Sequence, residues 1–246
     1  MSGVSGKVAL VTGASSGLGA QVAQLLAGRG ASVLGVARHE QRLAATFADT
    51  STGRYAVADL STADACRSVV AQCVETFGRL DILINVAGFH RMRHTTEMTD
   101  EDWDHDLAVN LHGPFHLCRA ALPHLLETGG NIVNVASIAG VEGQAYSAGY
   151  CAAKHGLVGL TRALAVEFTA DRLRVNAVCP GGMLTPQITG FTLPDGADPN
   201  LVMRTASPRG ISDPGDVAKV VAFLASDDAV AVHGAVYTAD NGKTAG

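Results

Sequence analysis

Short β-branched runs alternate with stretches of helical period along the whole chain, and this alternation narrows the possible folds more than any other feature. The runs lie at 7–12, 31–36, 54–58, 81–85, 131–136, 173–178 and 235–238. Most are apolar nearly throughout, the pattern of strands covered on both faces. Between them, Val22, Leu25 and Leu26, or Val217, Val220, Val221 and Leu224, recur at the spacing of one helix face. Helix starts are marked by Ser61 with Asp64, Thr99 with Asp102, and Asp213 before Pro214. Strand, helix and strand in succession need crossover connections, and right-handed crossovers build a parallel sheet. The expected fold is α/β: a single-domain, doubly wound (Rossmann-type) parallel sheet of about seven strands with helices on both faces.

No linker, repeat or shift in composition divides residues 1–246, so one dinucleotide-binding and catalytic domain is expected. The stretch 184–208 is loop-like, with Pro186, Pro194, Gly196, Pro199 and Pro208. Ligands of such sheets sit outside the carboxyl ends of the strands, which makes this insertion a natural substrate lid. It mixes Leu184, Phe191 and Leu193 with Thr185, Gln187, Thr189 and Thr192, a composition suited to a partly apolar ligand.

Composition removes other classes. With 47% apolar residues and a net charge of −5, the chain collapses in water rather than staying disordered. Its 18 Lys and Arg against 23 Asp and Glu leave no cationic excess for a phosphate backbone, so no nucleic-acid partner is expected. No apolar run reaches the roughly 18 residues of a membrane span, and the amino terminus lacks the arrangement of a signal peptide. A cytoplasmic protein is expected. Cys66, Cys73, Cys118, Cys151 and Cys179 show no metal-ligand spacing, and His112 and His116 are separated by Gly113-Pro114 with no adjacent acid. No metal site is expected, and the thiols are expected to be reduced.

The turn Thr12-Gly13-Ala14-Ser15-Ser16-Gly17-Leu18-Gly19 joins the first run to the first helical stretch. Gly13 and Gly17 bring bare backbone against a ligand, while Gly19 lets helix and strand pack closely. The helix amino terminus offers unpaired N–H groups and partial positive charge to a pyrophosphate, so Ser15, Ser16 and Leu18 join the three glycines as candidate cofactor residues. The second run leads into Ala37-Arg38. Here a dinucleotide fold reads the adenosine ribose, with an acid for a 2′-hydroxyl or an arginine for a 2′-phosphate. No acid is present, Ala37 leaves room and Arg38 offers its guanidinium fork, so NADP(H) is favoured over NAD(H). Asp59-Leu60, after the third run, can bring a carboxylate to the adenine amino group; Asp59 can equally cap the next helix.

Tyr150 and Lys154 are spaced i, i+4 on a helical stretch, which puts phenol and ammonium on one face. A phenol of ordinary pKa about 10 is a poor base at neutral pH. A cation about 4 Å away, at an effective dielectric of about 20, contributes about 4 kcal/mol, enough to lower that pKa by ~2 to 3 units. Ser137 stands at the carboxyl end of the 131–136 run, where its hydroxyl can orient a carbonyl oxygen. Asn110 lies in the helical stretch 101–126; its amide can hold a water between the lysine and bulk solvent, or make a structural hydrogen bond.

These motifs, in this order and over nearly the whole chain, resemble those of the short-chain dehydrogenase/reductase family. Thr12 to Gly19 is similar to that family's cofactor turn, Asn85-Val86-Ala87-Gly88 to its N-N-A-G element, and Asn110, Ser137, Tyr150 and Lys154 to its catalytic tetrad. Pro180-Gly181 is similar to its turn after a strand. The one departure is Val86, which replaces a second asparagine and removes a side-chain hydrogen bond near the central strand.

The resemblance implies hydride transfer between nicotinamide and a carbonyl or secondary alcohol, with Tyr150 as acid/base, Ser137 holding the substrate oxygen and no metal. It further implies that Lys154 binds the nicotinamide ribose. Asn85, Ala87, Gly88, Pro180, Gly181, Met183 and Thr185 complete the cofactor site. A homo-oligomer is implied, tetramer or dimer, with the helices of Asn110 and Tyr150 at the main interface. Substrate candidates, by position, are His90, Ser137, Gln144, Tyr146 and Leu184. A 3-oxoacyl thioester (acyl-carrier-protein) reductase shares the whole motif set. A catalytically silent nucleotide-binding protein and a nucleotide-sugar epimerase are also compatible with a nucleotide fold of this kind. The intact Ser137, Tyr150 and Lys154 argue against the silent protein, and the short tail after Gly181 against the epimerase.

Overall fold

The computed structural model describes residues 3–189 and 192–245, with backbone alone for Gln187 and Thr189, so Phe191 of the lid lies outside the described residues. Strands form at all seven expected runs: β1 Val8–Thr12, β2 Ser32–Ala37, β3 Gly53–Val57, β4 Ile82–Asn85, β5 Asn131–Val135, β6 Arg174–Pro180 and β7 Val236–Ala239. They make one parallel sheet in the order β3-β2-β1-β4-β5-β6-β7, with Leu10 of β1 opposite Leu34 on one side and Leu83 on the other. Chain direction across the sheet reverses at β1, which places a crevice between the carboxyl ends of β1 and β4.

Alternate residues of the central strands feed two cores. Ala9, Val11, Val33, Ile82, Ile84 and Val133 pack under α1 (Gly17–Gly28), α2 (Glu40–Phe47) and α9 (Pro214–Ala225). Val8, Leu10, Leu34, Leu83, Ile132 and Val175 pack under α3 (Ala63–Phe77), α5 (Gly113–Thr128) and α6 (Ala148–Glu167). Each fully buried Val, Leu or Ile contributes roughly 1.5–3 kcal/mol, so two-sided coverage is the main source of stability. Phe47 fills the gap left by two glycines. A Cβ at Gly35 or Gly53 would come within 2.3 Å of its ring. All five cysteines are free, and burial pushes the Cys66 thiol up to about 11 and those of Cys73 and Cys118 up to about 12.

The helix starts differ from expectation at one place. Thr99 and Asp102 form a capping box on α4 (Asp100–Leu107), and Asp213 caps α9 ahead of Pro214. At α3, however, the cap is Thr62, whose hydroxyl accepts the Ala65 N–H, and the Ser61 N–H donates to the Asp59 carboxylate rather than to Asp64. The expected single helix over 101–126 is broken by a π-turn, Ala108–His112, between α4 and α5. Pro114 has no N–H to give the Asn110 carbonyl, so the α-helical ladder cannot continue through that point.

A polar chain crosses the sheet beneath the crevice. The Asn85 amide donates to Asn134 Oδ1 (2.8 Å), Asn134 Nδ2 donates to Thr161 Oγ1 (3.0 Å), and that hydroxyl donates to the Leu157 carbonyl (2.8 Å). It ties β4 to β5 and β5 to α6. Replacing Asn134 by Leu leaves buried partners unmatched on both sides, so the expected loss is ~1–3 kcal/mol, read from urea unfolding midpoints against wild type.

Candidate active site

At the carboxyl end of β1 the chain turns through Gly13, with φ of 69°. A Cβ there would stand 3.1 Å from the Ala87 backbone, and one at Gly19 would stand 2.2 Å from the Gly13 carbonyl oxygen. The bare backbone is what allows α1 to begin directly over β1. Ser16, the residue before α1, makes no capping bond with its side chain, which leaves the first-turn N–H groups for an anion. Thr12 Oγ1 accepts the N–H groups of both Val86 and Ala87 at 2.9 Å. The turn after β4 is therefore held by Thr12, and the side-chain bond that Val86 cannot make is not needed for it.

These ends open into a cleft of about 740 Å³. It is lined by Gly13, Ser15, Ser16, Gly17, Leu18, Gly19, Ala37, Arg38, Asp59, Leu60, Ala87 and Gly88. Ser137, Tyr150, Lys154, Pro180, Gly181, Met183, Thr185, His90 and Gln144 complete the expected set along it. A glycine cradle with open helix N–H groups at one end and a tyrosine and lysine at the other fits a nicotinamide dinucleotide. Asp59 lines the cleft along with Arg38, yet its carboxylate accepts the Ser61 N–H at 3.0 Å. That bond, followed by the nearby Ser61 hydroxyl and Arg38 charge, outweighs burial and holds Asp59 below its ordinary value.

Four expected residues, Asn85, Asn110, Tyr146 and Leu184, do not line the cleft. Asn85 is buried behind the cleft and spends its amide on Asn134. Leu184 is 63% exposed and faces away, because the Leu184 N–H pairs with the Ser212 carbonyl and turns the side chain outward. Tyr146 does not line the cleft; its hydroxyl is bonded to the lid backbone at Asp198. Asn110 is fully buried and its amide is occupied. Nδ2 donates to the carbonyls of Phe89 (2.8 Å) and Asp106 (3.0 Å), and Oδ1 accepts the Phe89 N–H (3.1 Å). These structural hydrogen bonds clamp the loop after β4.

Sequence reasoning missed Arg42, Phe89, Met92, Ile188, Val202 and Thr205, all on the cleft wall. Arg42 was findable: it lies in the first turn of α2, four residues after Arg38. The others depend on how distant loops fold together.

At the reacting end, Lys154 is 3% exposed, donates to the Val135 carbonyl at 3.0 Å and lies 5.7 Å from the centre of the Tyr150 ring. Burial dominates both groups. It pushes the Tyr150 phenol up to about 12, opposed by the Ser137 hydroxyl hydrogen-bonded to it, and pushes Lys154 down to about 8. The i, i+4 argument expected the opposite sign at Tyr150, because it counted the charge and omitted the desolvation. His90 stacks on the Tyr150 ring with centroids 4.2 Å apart, and its Nε2 lies 2.9 Å from Ser147 Oγ. Burial, then the Lys154 charge, push His90 down to about 4, so the imidazole is neutral at pH 7.

Among the described residues, no cluster of His, Cys, Asp or Glu is arranged to hold a metal ion, and no helix is long and apolar enough to cross a membrane. The arrangement presents a neutral phenol, a hydroxyl and an ammonium at one end of a nucleotide-sized cleft, which suits proton exchange with a carbonyl or carbinol oxygen.

Comparison with known proteins agrees. A family model described as Enoyl-(Acyl carrier protein) reductase matches residues 13–244. The chain is 37% identical to a D-threitol dehydrogenase of Mycolicibacterium smegmatis, over 97% of this chain and 93% of that one. It is 36% identical to a 3-oxoacyl-[acyl-carrier-protein] reductase of Thermotoga maritima, over 96% and 97%. A crystal structure described as a putative short-chain alcohol dehydrogenase from Sinorhizobium meliloti superposes with a TM-score of 0.89 at 35% identity, covering 98% of this chain and 97% of the other. From the glycine turn to the buried lysine, fold and relatives converge: the chain belongs to the short-chain dehydrogenase/reductase family and is an NAD(P)-dependent oxidoreductase.

Proposed function

We propose that this protein is an NADP(H)-preferring enzyme interconverting a small carbonyl compound and its secondary alcohol, with Tyr150 as the proton donor in reduction. The observation that carries this reading is the convergence of Ser137, Tyr150 and Lys154 in the cleft that begins at the glycine turn. Bound there, the nicotinamide supplies or accepts the hydride. The chain's own groups do the rest. Ser137 holds the substrate oxygen, and the neutral phenol gives it a proton; in the alcohol-oxidising direction the phenolate must take one. Lys154 supplies positive charge beside the phenol and would hold the nicotinamide ribose. Pro180, Gly181, Met183 and Thr185 would fix which face of the ring meets the substrate. At the adenine end, Arg38, Arg42 and His39 gather on the cleft wall with no acid on β2, which favours a 2′-phosphate.

Residues 1–246 act in this reading as one domain, with 184–208 as its lid. Exposed apolar side chains on α4, α5 and α6, such as Trp103, Phe115 and Val166, support a homo-oligomer built on those helices. A cytoplasmic location fits a chain whose buried cysteines are all free. A thioester substrate is a second reading, favoured by the 3-oxoacyl reductase relative.

The test is a panel comprising a diketone, a ketose, a 3-oxosteroid and a 3-oxoacyl thioester, each assayed with NADPH and NADH. NADPH is expected to win, and Arg38→Ala to cut that preference about tenfold or more, since a charge-assisted phosphate contact is worth ~1.5–3 kcal/mol. Tyr150→Phe should lower kcat by about 10²–10⁴-fold with folding intact by circular dichroism. Reduction should weaken as pH rises through about 8, where Lys154 loses its proton, while Tyr150 at about 12 remains protonated. Lys154→Arg should move that limb upward; an unchanged limb assigns it to another group.

A further inference from the structure

Tyr146 has a φ of 61°, a left-handed conformation that a bulky side chain adopts only where its surroundings hold it. Its carbonyl accepts the Arg93 N–H at 2.8 Å, and Arg93 is itself fixed by an ion pair with Asp102 at 2.6 Å. The strained turn directs the ring away from the cleft and toward the lid. There the phenol oxygen accepts the Asp198 N–H at 2.9 Å. Asp198 is the residue that caps α8 (Pro199–Met203), its carboxylate accepting the Asn200 N–H at 2.8 Å.

A second contact stands beside the first. His94 meets the Tyr146 ring edge-on, with centroids 5.0 Å apart, and its Nε2–H donates to the Asp195 carbonyl at 2.9 Å. Two aromatic side chains from two separate loops thus grip the lid backbone three residues apart.

The grip matters because little else holds this segment. No residue from 192 to 211 is buried, and a segment with so little burial opens locally at low cost. Val202 and Thr205 within it nevertheless form part of the cleft wall. The base of the grip also reaches the reacting end. Ser147, next to Tyr146, donates to the Ala145 carbonyl (3.2 Å) and faces Nε2 of His90, the ring stacked on Tyr150.

We propose that Tyr146 and His94 are positioning residues for the reaction, a two-point latch that seats residues 194–205 over the substrate end of the cleft. Neither touches the reacting atoms; both act through the lid backbone. The proposal rests on the reading of Tyr150 as the acid in this cleft only for its kinetic consequence, since the latch itself can be read without turnover.

The experiment is hydrogen–deuterium exchange by mass spectrometry on the full chain, alone and with NADPH, for wild type, Tyr146→Phe, His94→Ala and the double variant. Amides of 192–205 should exchange about three- to tenfold faster in each single variant, the range that one hydrogen bond is worth, and faster again in the double variant. For the panel carbonyl with the highest kcat/KM, KM should rise by a similar factor while kcat changes less and NADPH affinity is unchanged. Tyr146→Gly, which keeps the left-handed turn without the ring, should reproduce the exchange result even if Tyr146→Phe melts early. Unchanged exchange at 192–205 in both His94→Ala and Tyr146→Gly overturns the latch. So does a fall in kcat at constant KM. Tyr150→Phe should show wild-type exchange in this segment, so failure of the acid assignment and failure of the latch give different results.

Discussion

The active cleft exists because α1 can begin in contact with the end of β1. A side chain at Gly19 would collide with the Gly13 carbonyl, and one at Gly13 would be strained by its φ and press on the backbone at Ala87, so bare backbone at both places sets how closely strand, helix and neighbouring strand approach. Thr12 finishes the junction by satisfying the two N–H groups that follow β4. Once β1 and β4 are joined this way, the parallel order of the sheet leaves one crevice between their carboxyl ends. The helix that returns from β5 then delivers Tyr150 to its wall, while Asn110, behind that wall, clamps the loop after β4. Widening the junction by one methyl group would separate the cofactor turn from the residues meant to work beside it.

Burial holds these groups in place and also sets their protonation. Taking Lys154 and Tyr150 out of water fixes their geometry but disfavours charge on each, driving the ammonium toward neutrality and the phenol away from ionisation. His90 follows the same rule: buried near an ammonium, it stays uncharged and can lie flat on the tyrosine ring without adding a second cation. The protein's own environment therefore holds Tyr150 as a protonated acid. Making the phenolate takes positive charge at the cleft beyond what burial leaves to Lys154. That asymmetry distinguishes the two directions of the reaction by physics rather than by a change of residues.

How much of this was legible in the chain depended on the range of the interaction concerned. The five central runs became strands because two-sided burial imposes a local pattern. The edge strands β3 and β7 are largely exposed and rest on β-branched and aromatic residues instead. The glycine turn was readable because its conformation is a property of eight consecutive residues. Ser137, Tyr150 and Lys154 were found by spacing, yet the sign of the phenol shift was not, since desolvation comes from elements distant in sequence. Asn110 shows the same limit. Its residue type suits a water-holding amide or a structural bond, and only the fold of the Phe89 loop shows which bonds it makes. Leu184 and Tyr146 fell near the cleft by position but point away from it, one turned by a bridge to Ser212, the other by a left-handed turn that no periodicity announces.

The walls around Tyr150 divide into two kinds, and the division follows from what each is built on. Ser137 and Lys154 stand on the end of β5 and the middle of α6, with Lys154 bonded back to the Val135 carbonyl, so their positions move only if the sheet moves. His90 and Ser147 belong to loops, and Tyr146 and His94 of the same loops reach the backbone at Asp198 and Asp195. Proton donation asks for the rigid side, because sub-ångström placement governs transfer. Substrate entry and release ask for the yielding side, which can move without disturbing the acid. The neutral stacked ring of His90 is the seam between them: it bears on the phenol from the loop side by van der Waals contact, which is soft in the plane of the rings. A shift of the loop residues therefore costs the phenol only that contact, while the Ser137 hydroxyl bonded to it stands at the end of the sheet.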